Sequence, residues 1–161
     1  MIVRAFMLGI ALCALTAPAV AAGKDMCWKD GRSSDKAEIV DLLGRYANAV
    51  NSQDPELYAS VFTKDAVWEG VGMGTFVGID AIRNAFVKNL SRNPHLTLNY
   101  TVDVNGTTAT ARSDVLVVRL EEPQPVVRTV AFYEDKLIRI GCAWKIQYRK
   151  FTRRPLTPAA K

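Results

Sequence analysis

FTKDAVWEGVGMGTFVGIDAIRNAFVKNL, residues 62–90, is the stretch on which the fold turns. Within it Ala66–Glu69 reads as a short strand, Gly70–Gly74 as a glycine-rich turn and GTFV as a second short strand. After Gly78 the period changes. Ile79, Ile82, Phe86 and Leu90 recur every three or four residues, the apolar stripe of an amphipathic helix. Ser91-Arg92-Asn93-Pro94 ends it, because the residue before a proline is driven out of helical geometry.

Towards the N-terminus, Asp54-Pro55-Glu56 is a helix start: a capping acid, proline at the first helical position, an acid in the first turn. Leu57, Val61 and Phe62 are expected to face inward from that helix. Before it, Ile39, Leu43, Tyr46 and Val50 make a longer stripe, capped by Ser34 or Asp35 and ending near Asn51-Ser52-Gln53. Downstream the pattern alternates instead. Leu96, Leu98, Tyr100, Val102 and Val104 interleave with polar residues, and Asn105-Gly106 is a hairpin turn with Thr107 to Arg119 as the returning strand. EEPQP, residues 121–125, is a loop; Val126–Leu137 and Ala143–Phe151 supply the last strands. Helices first and long antiparallel strands after them give an α+β domain, with a curved mixed or antiparallel sheet wrapped around N-terminal helices.

The chain has 161 residues, 49% of them hydrophobic, which suits one domain and is too short for two. Residues 1–22 stand apart: Arg4, an apolar run from Ala5 to Leu15, and small residues at Ala19-Val20-Ala21-Ala22 have the layout of a secretory signal peptide. The competing reading, an uncleaved membrane anchor, is opposed by Pro18 and by the shortness of the run. A flexible lead-in (23–35), the domain (36–154) and a disordered tail (155–161) are expected to follow, in a periplasmic or secreted protein with no membrane attachment after cleavage. Cleavage would leave Cys27 and Cys142, either one disulfide or two buried thiols. Net charge falls from +5 to +4, because residues 1–22 carry only Arg4. Basic residues gather near the C-terminus, where Lys145, Gln147 and Arg149 share one strand face and Trp144, Ile146 and Tyr148 the other. That reads as a solvated face and not as a nucleic-acid surface. One histidine and two cysteines make no usual zinc site, and neither a nucleophile elbow nor a phosphate-binding glycine loop is present.

RYANAVNSQDPELYASVFTKDAVW, then GTFVG, HLTLN and FYEDKLIR followed by Trp144, occur in an order that resembles the SnoaL-like domain family of the nuclear transport factor 2-like superfamily. The resemblance spans roughly Lys36 to Phe151. It implies a cone-shaped domain with a cavity between helices and sheet, binding a small, mostly apolar molecule. It also implies, where members are enzymes, cofactor-free acid–base chemistry of the lyase or isomerase kind. The alternative is a non-catalytic ligand-binding or assembly module, dimerising through the sheet. His95 stands in HLTLN, where dehydrochlorinase-like and dehydratase-like members carry a catalytic histidine, and imidazole suits a general base. Those members have an acid just after the position of Val50; this chain has Asn51, which can orient an imidazole but cannot stabilise imidazolium. Tyr46, Trp68, Phe76, Phe86, Phe132 and Tyr133 are expected cavity walls, with plain core packing as the competing reading. A Tyr46 phenol could donate into the cavity, and Arg139 lies near an arginine of the dehydrochlorinase-like members or is a solvated strand charge.

Hairpin arithmetic adds one expectation of its own. A two-residue Asn105-Gly106 loop pairs Thr97 with Asp114 and His95 with Leu116, which puts Asp114 diagonally across from His95 and Arg112 on the same face. Asp114 would then assist His95. A bulge would scramble that register, and the face is the polar one.

Overall fold

The computed structural model describes residues 32–89, 93–120 and 123–155. The expected signal peptide, Cys27, Leu90 and the tail beyond residue 155 lie outside them. α1 (Arg32–Ser52) opens a few residues before the expected boundary at Lys36. α2 (Pro55–Ser60) begins as its sequence dictates, with the Asp54 carboxylate accepting from the amides of Glu56 and Leu57 at 3.0 and 2.9 Å. It is shorter than its apolar residues indicate. Val61 caps it, and Phe62 already belongs to β1 (Phe62–Gly70), so Phe62 is a strand residue and not a helical one.

β2 (Gly74–Val77) returns antiparallel to β1. At Gly78, φ +83° and ψ 152° form a corner that side-chain-bearing residues avoid, and α3 (Ile79–Lys88) starts from it. Four long strands follow: β3 (His95–Asn105), β4 (Thr108–Arg119), β5 (Val126–Ile140) and β6 (Ala143–Arg153). They form a curved, unclosed six-stranded sheet in the order β2-β1-β6-β5-β4-β3. β6 runs parallel to β1 and every other pairing is antiparallel. The architecture is therefore the expected α+β one.

Helices pack on one face only, α1 against β3 and β6, α2 and α3 against β1. Val115, Ala131, Leu137 and Ile146 point from the sheet into that layer, and Ile39, Leu42, Leu43 and Ile82 meet them from the helices. The other face carries Arg112, Glu134, Lys136 and Lys150.

Two bulges decide which side chains reach the core. β3 takes three steps from Leu98 to Thr101 while β4 takes two from Asp114 to Arg112. The extra residue is accommodated at Asn99, whose φ is +54°, a conformation asparagine tolerates better than most side chains. In β6 the chain takes two steps from Ile146 to Tyr148 where β5 takes one, Leu137 to Lys136. Each bulge reverses the alternation beyond it.

The β3 bulge corrects the hairpin arithmetic. The turn residues are Gly106 and Thr107, Asn105 pairs Thr108, His95 pairs Val117 and Asp114 pairs Leu98. His95 thereby shares the helix-covered face with Val115 and Val117, while Asp114 takes the opposite face. The β6 bulge corrects the reading of the basic strand. Trp144 and Ile146 point inward, and so do Arg149 and Phe151, whereas Tyr148 turns outward to donate to Glu69 at 2.6 Å. Arg149 is thus a core residue, not a solvated one.

Candidate functional site

Between the helices and the inner sheet face lies a cavity of about 370 Å³. Val50, Trp68, Met73, Phe76, Ile82, Ala85, Phe86 and Phe151 give it apolar walls; Tyr46, Tyr58, Tyr133, His95 and Asn89 supply its polar atoms. The aromatic rings support one another. Tyr58 stacks on Phe86 with centroids 4.0 Å apart and planes 7° from parallel, and Tyr133 meets Tyr46 edge-on at 5.5 Å.

Tyr46, Trp68, Phe76, Phe86, Tyr133 and His95 line the cavity. Other nominated residues stand elsewhere. Phe132 neighbours Tyr133 on β5, and successive strand residues face opposite sides, so it lies outside under the guanidinium of Arg112 at 4.1 Å from the ring centre. Asp114 is also outside, accepting from Asn99 at 3.0 Å and from Arg154 at 2.7 Å, and these bonds hold its carboxyl below the usual range. Arg139 is bound to Asp35 on α1 and lies over Trp144, tying helix to sheet away from the cavity. The His95–Asp114–Arg112 cluster does not form: Arg112 reaches Glu134 at 3.7 Å instead.

His95 is held without any carboxylate. Its backbone amide donates to Asn51 Oδ1 at 2.7 Å, and Asn51 Nδ2 donates back to its carbonyl at 3.0 Å. That reciprocal pair needs one donor and one acceptor on the same side chain, which an amide has and an ionised carboxylate lacks. Asn51 therefore fixes the position of the β3 start against the end of α1 and leaves the ring alone. The ring Nδ1 lies 3.0 Å from the Asn93 carbonyl. A carbonyl only accepts, so Nδ1 carries the proton and Nε2 keeps its lone pair. Burial disfavours the charged ring and lowers its pKa below the ordinary histidine value, despite the opposing Asn93 bond.

Beneath the cavity, Arg149 Nε and Nη2 donate to the two Asp135 carboxylate oxygens at 2.7 and 2.8 Å. The pair is buried, and the guanidinium carbon sits 3.9 Å from the Tyr46 ring centre and 4.1 Å from that of Tyr133. Burial alone would push Arg149 towards neutrality; Asp135 more than offsets it and keeps the guanidinium charged. Above it the phenols form a chain, Tyr46 Oη lying 3.2 Å from Tyr133 Oη and 3.5 Å from Tyr58 Oη. Burial raises the Tyr58 and Tyr133 pKa values well above the usual phenol range, so both remain protonated.

Asp135, Arg149 and Tyr58 are members of this constellation that the sequence did not nominate. Alternation read through the β6 bulge hides Arg149, and Tyr58 sits beside a strong helix-start motif that accounts for its segment. Among the described residues no group of three or more His, Cys, Asp or Glu stands together as a metal site. Cys142, in the β5–β6 turn, is disulfide-bonded.

The SnoaL-like domain model matches residues 31–150. No curated protein matches the chain in sequence. Among solved structures, a variant of Rv3472 from Mycobacterium tuberculosis, a protein of unknown function, is similar at 28% identity and a TM-score of 0.72, over 81% of this chain and 84% of that one. An NTF2-like protein with a cystatin-like fold from Novosphingobium aromaticivorans is similar at 26% identity and a TM-score of 0.71, over 80% and 87%. LinA is similar at 25% identity and a TM-score of 0.69, over 80% and 92%.

Proposed function

Because the chain belongs to the SnoaL-like domain family, we propose that it is an exported protein that binds a small, mostly apolar molecule in this cavity. There it moves a proton without a cofactor, in lyase or isomerase chemistry. The observation that carries the reading is the state of His95: a neutral ring with Nδ1 occupied by Asn93 and a basic Nε2, on the wall of an aromatic cavity. A general base needs that protonation state and proximity to the C–H it attacks. The imidazolium formed after abstraction has no carboxylate against it, so turnover is slow and confined to substrates whose proton is already acidic.

2-Tetralone, a flat ketone with acidic α-hydrogens, serves as a probe. In D2O the protein should speed exchange of those hydrogens, followed by proton NMR, and His95→Gln should lower the enzymatic rate by about a hundredfold. Bound 2-tetralone that exchanges no faster than in buffer would transfer the assignment to the second reading, a binding module without catalysis. Asn51 favours that reading, since it spends both its polar atoms on the His95 backbone.

Export is supported by the layout of residues 1–22 and by the disulfide at Cys142, a bond that persists in oxidising compartments. A homodimer through the sheet is supported by its outer face, which carries no helix of the described chain. Sedimentation of the mature protein tests it.

A further inference from the structure

The glycine-rich turn between β1 and β2, Gly70–Gly74, takes no part in the chemistry proposed above, yet it delivers one side chain, Met73, to the cavity. The turn is tight. The Met73 amide donates to the Gly70 carbonyl at 2.8 Å, with Gly72 at a φ of +75°. A methyl group on Gly70 would fall 2.8 Å from the Met73 Cβ and 2.7 Å from the Trp68 ring, so glycine is what lets Met73 fold back over the cavity wall. The Val71 amide pins the turn to β6 by donating to the Phe151 carbonyl at 3.0 Å.

Met73 differs from the residues it stands among. Tyr46, Tyr58, Trp68, Ile82, Tyr133 and Phe151 are buried, whereas Met73 is 46% exposed. It therefore stands where the cavity meets solvent, and its thioether is open to solutes. A second side chain is already aimed at the sulfur. Arg153, exposed near the end of β6, directs Nη2 at the Met73 Sδ from 3.9 Å. A thioether is a weak acceptor for such a donor. The oxygen of a sulfoxide is a far stronger one, and on that side of the sulfur it would receive a charge-assisted hydrogen bond.

We propose that Met73 is an oxidation site: hydrogen peroxide converts it to the sulfoxide, Arg153 holds the new oxygen, and the change at the cavity mouth lowers affinity for an apolar ligand. The sulfur gives an electron pair to one peroxide oxygen and the O–O bond breaks. The proton on the bound oxygen passes to the departing one, which leaves as water. Sulfur loses two electrons and the peroxide gains them, and a methionine sulfoxide reductase reverses the change. A flexible apolar side chain thereby becomes a polar one. The oxidation and its steering by Arg153 stand apart from the cavity-binding reading; the effect on affinity rests on it.

The test treats the purified protein with hydrogen peroxide and follows Met73 by peptide mass spectrometry as it gains an oxygen atom. Free methionine in the same solution is the reference. Met73 should convert at a similar rate, and a Met73 left intact once the free amino acid is spent overturns the site. Arg153 should make one sulfoxide epimer predominate, and two reductases, each specific for one epimer, measure the ratio. It should stand about threefold from even in wild type and return towards even in Arg153→Gln. An equal skew in both proteins removes Arg153 from the proposal. Calorimetric titration with 2-tetralone reads the effect on the cavity. Its Kd should rise about tenfold when wild type is oxidised and recover on reduction. In Met73→Leu, which keeps volume and apolarity, the Kd should not respond to peroxide. A Kd that ignores the sulfoxide overturns the control of binding and leaves the cavity reading standing. If unoxidised wild type does not bind 2-tetralone, both of those fail together, and the mass and epimer measurements still decide the oxidation site.

Discussion

Arg149 and Asp135 sit on adjacent strands, directly opposite one another, with side chains 1% and 0% exposed. Stripping water from two such charges costs several kcal/mol each, and their mutual bonds return that only while both are present. Asp135→Asn should therefore lower stability by about 3–5 kcal/mol, read from urea unfolding. Replacing both by apolar residues of similar size should recover most of the loss, and an additive double variant would refute the pairing argument. At Asn51 the consequence is electrostatic. Substituting Asp removes the donor to the His95 carbonyl, worth about 1 kcal/mol, and brings a negative charge to the histidine. The chain has one histidine, so its ring signal in proton NMR is unambiguous. In wild type the ring should titrate below the ordinary histidine value of about 6.5. Since the folded state resists protonation, stability should fall as pH drops from about 6.5 through that lowered midpoint, and be insensitive to His95 above about 6.5. Asn51→Asp should raise the midpoint; an unmoved midpoint would show that the carboxylate does not reach the ring's field.

The helices were legible because their signals are local: a cap, a proline, an acid and a stripe within a few residues of one another. The strands were legible as strands, but not in their facing. Leu96, Leu98, Tyr100, Val102 and Val104 look like one continuous apolar face, yet Leu96 is 46% exposed and Val102 is 7% exposed. The difference is the single extra residue near Asn99, which turns His95 inward and Asp114 outward. The same device at β6 turns Arg149 inward. No composition signal marks either bulge, since Asn99 and Gln147 are ordinary polar strand residues. The corner between β2 and α3, by contrast, is written in the sequence as Gly78. Its φ of +83° with ψ of 152° is open essentially to glycine alone. An added methyl would meet nothing closer than the Lys64 carbonyl at 3.7 Å, so the cost of substitution is backbone strain and not collision. Gly78→Ala should lose about 1–3 kcal/mol in urea unfolding, and because α3 carries Ile82, Ala85 and Phe86 to the cavity, ligand affinity should weaken with it.

The order of helices and strands over the whole molecule followed from where the hydrophobic period changes, whereas the cavity between two layers was implied only by the family resemblance. The floor of that cavity followed from neither, because it is assembled from distant parts of the chain: Tyr46 meets Tyr133 across 87 positions, and Arg149 comes from the last strand. Such contacts exist only once the register is set. The disulfide at Cys142 acts at this scale as well. It lies in the turn between β5 and β6. A cross-link of this kind works chiefly by limiting the unfolded chain, and its removal typically costs about 2–4 kcal/mol. Reducing the wild-type protein should lower its unfolding free energy in urea by that amount, while Cys142→Ser should start at the lower value and not respond to reductant. The cavity lies in the folded state in both cases, so the Kd for 2-tetralone, measured well below the midpoint, should be unchanged. Equal stability of oxidised and reduced wild type would remove the cross-link from the account of how the molecule is held together, and with it one support for export.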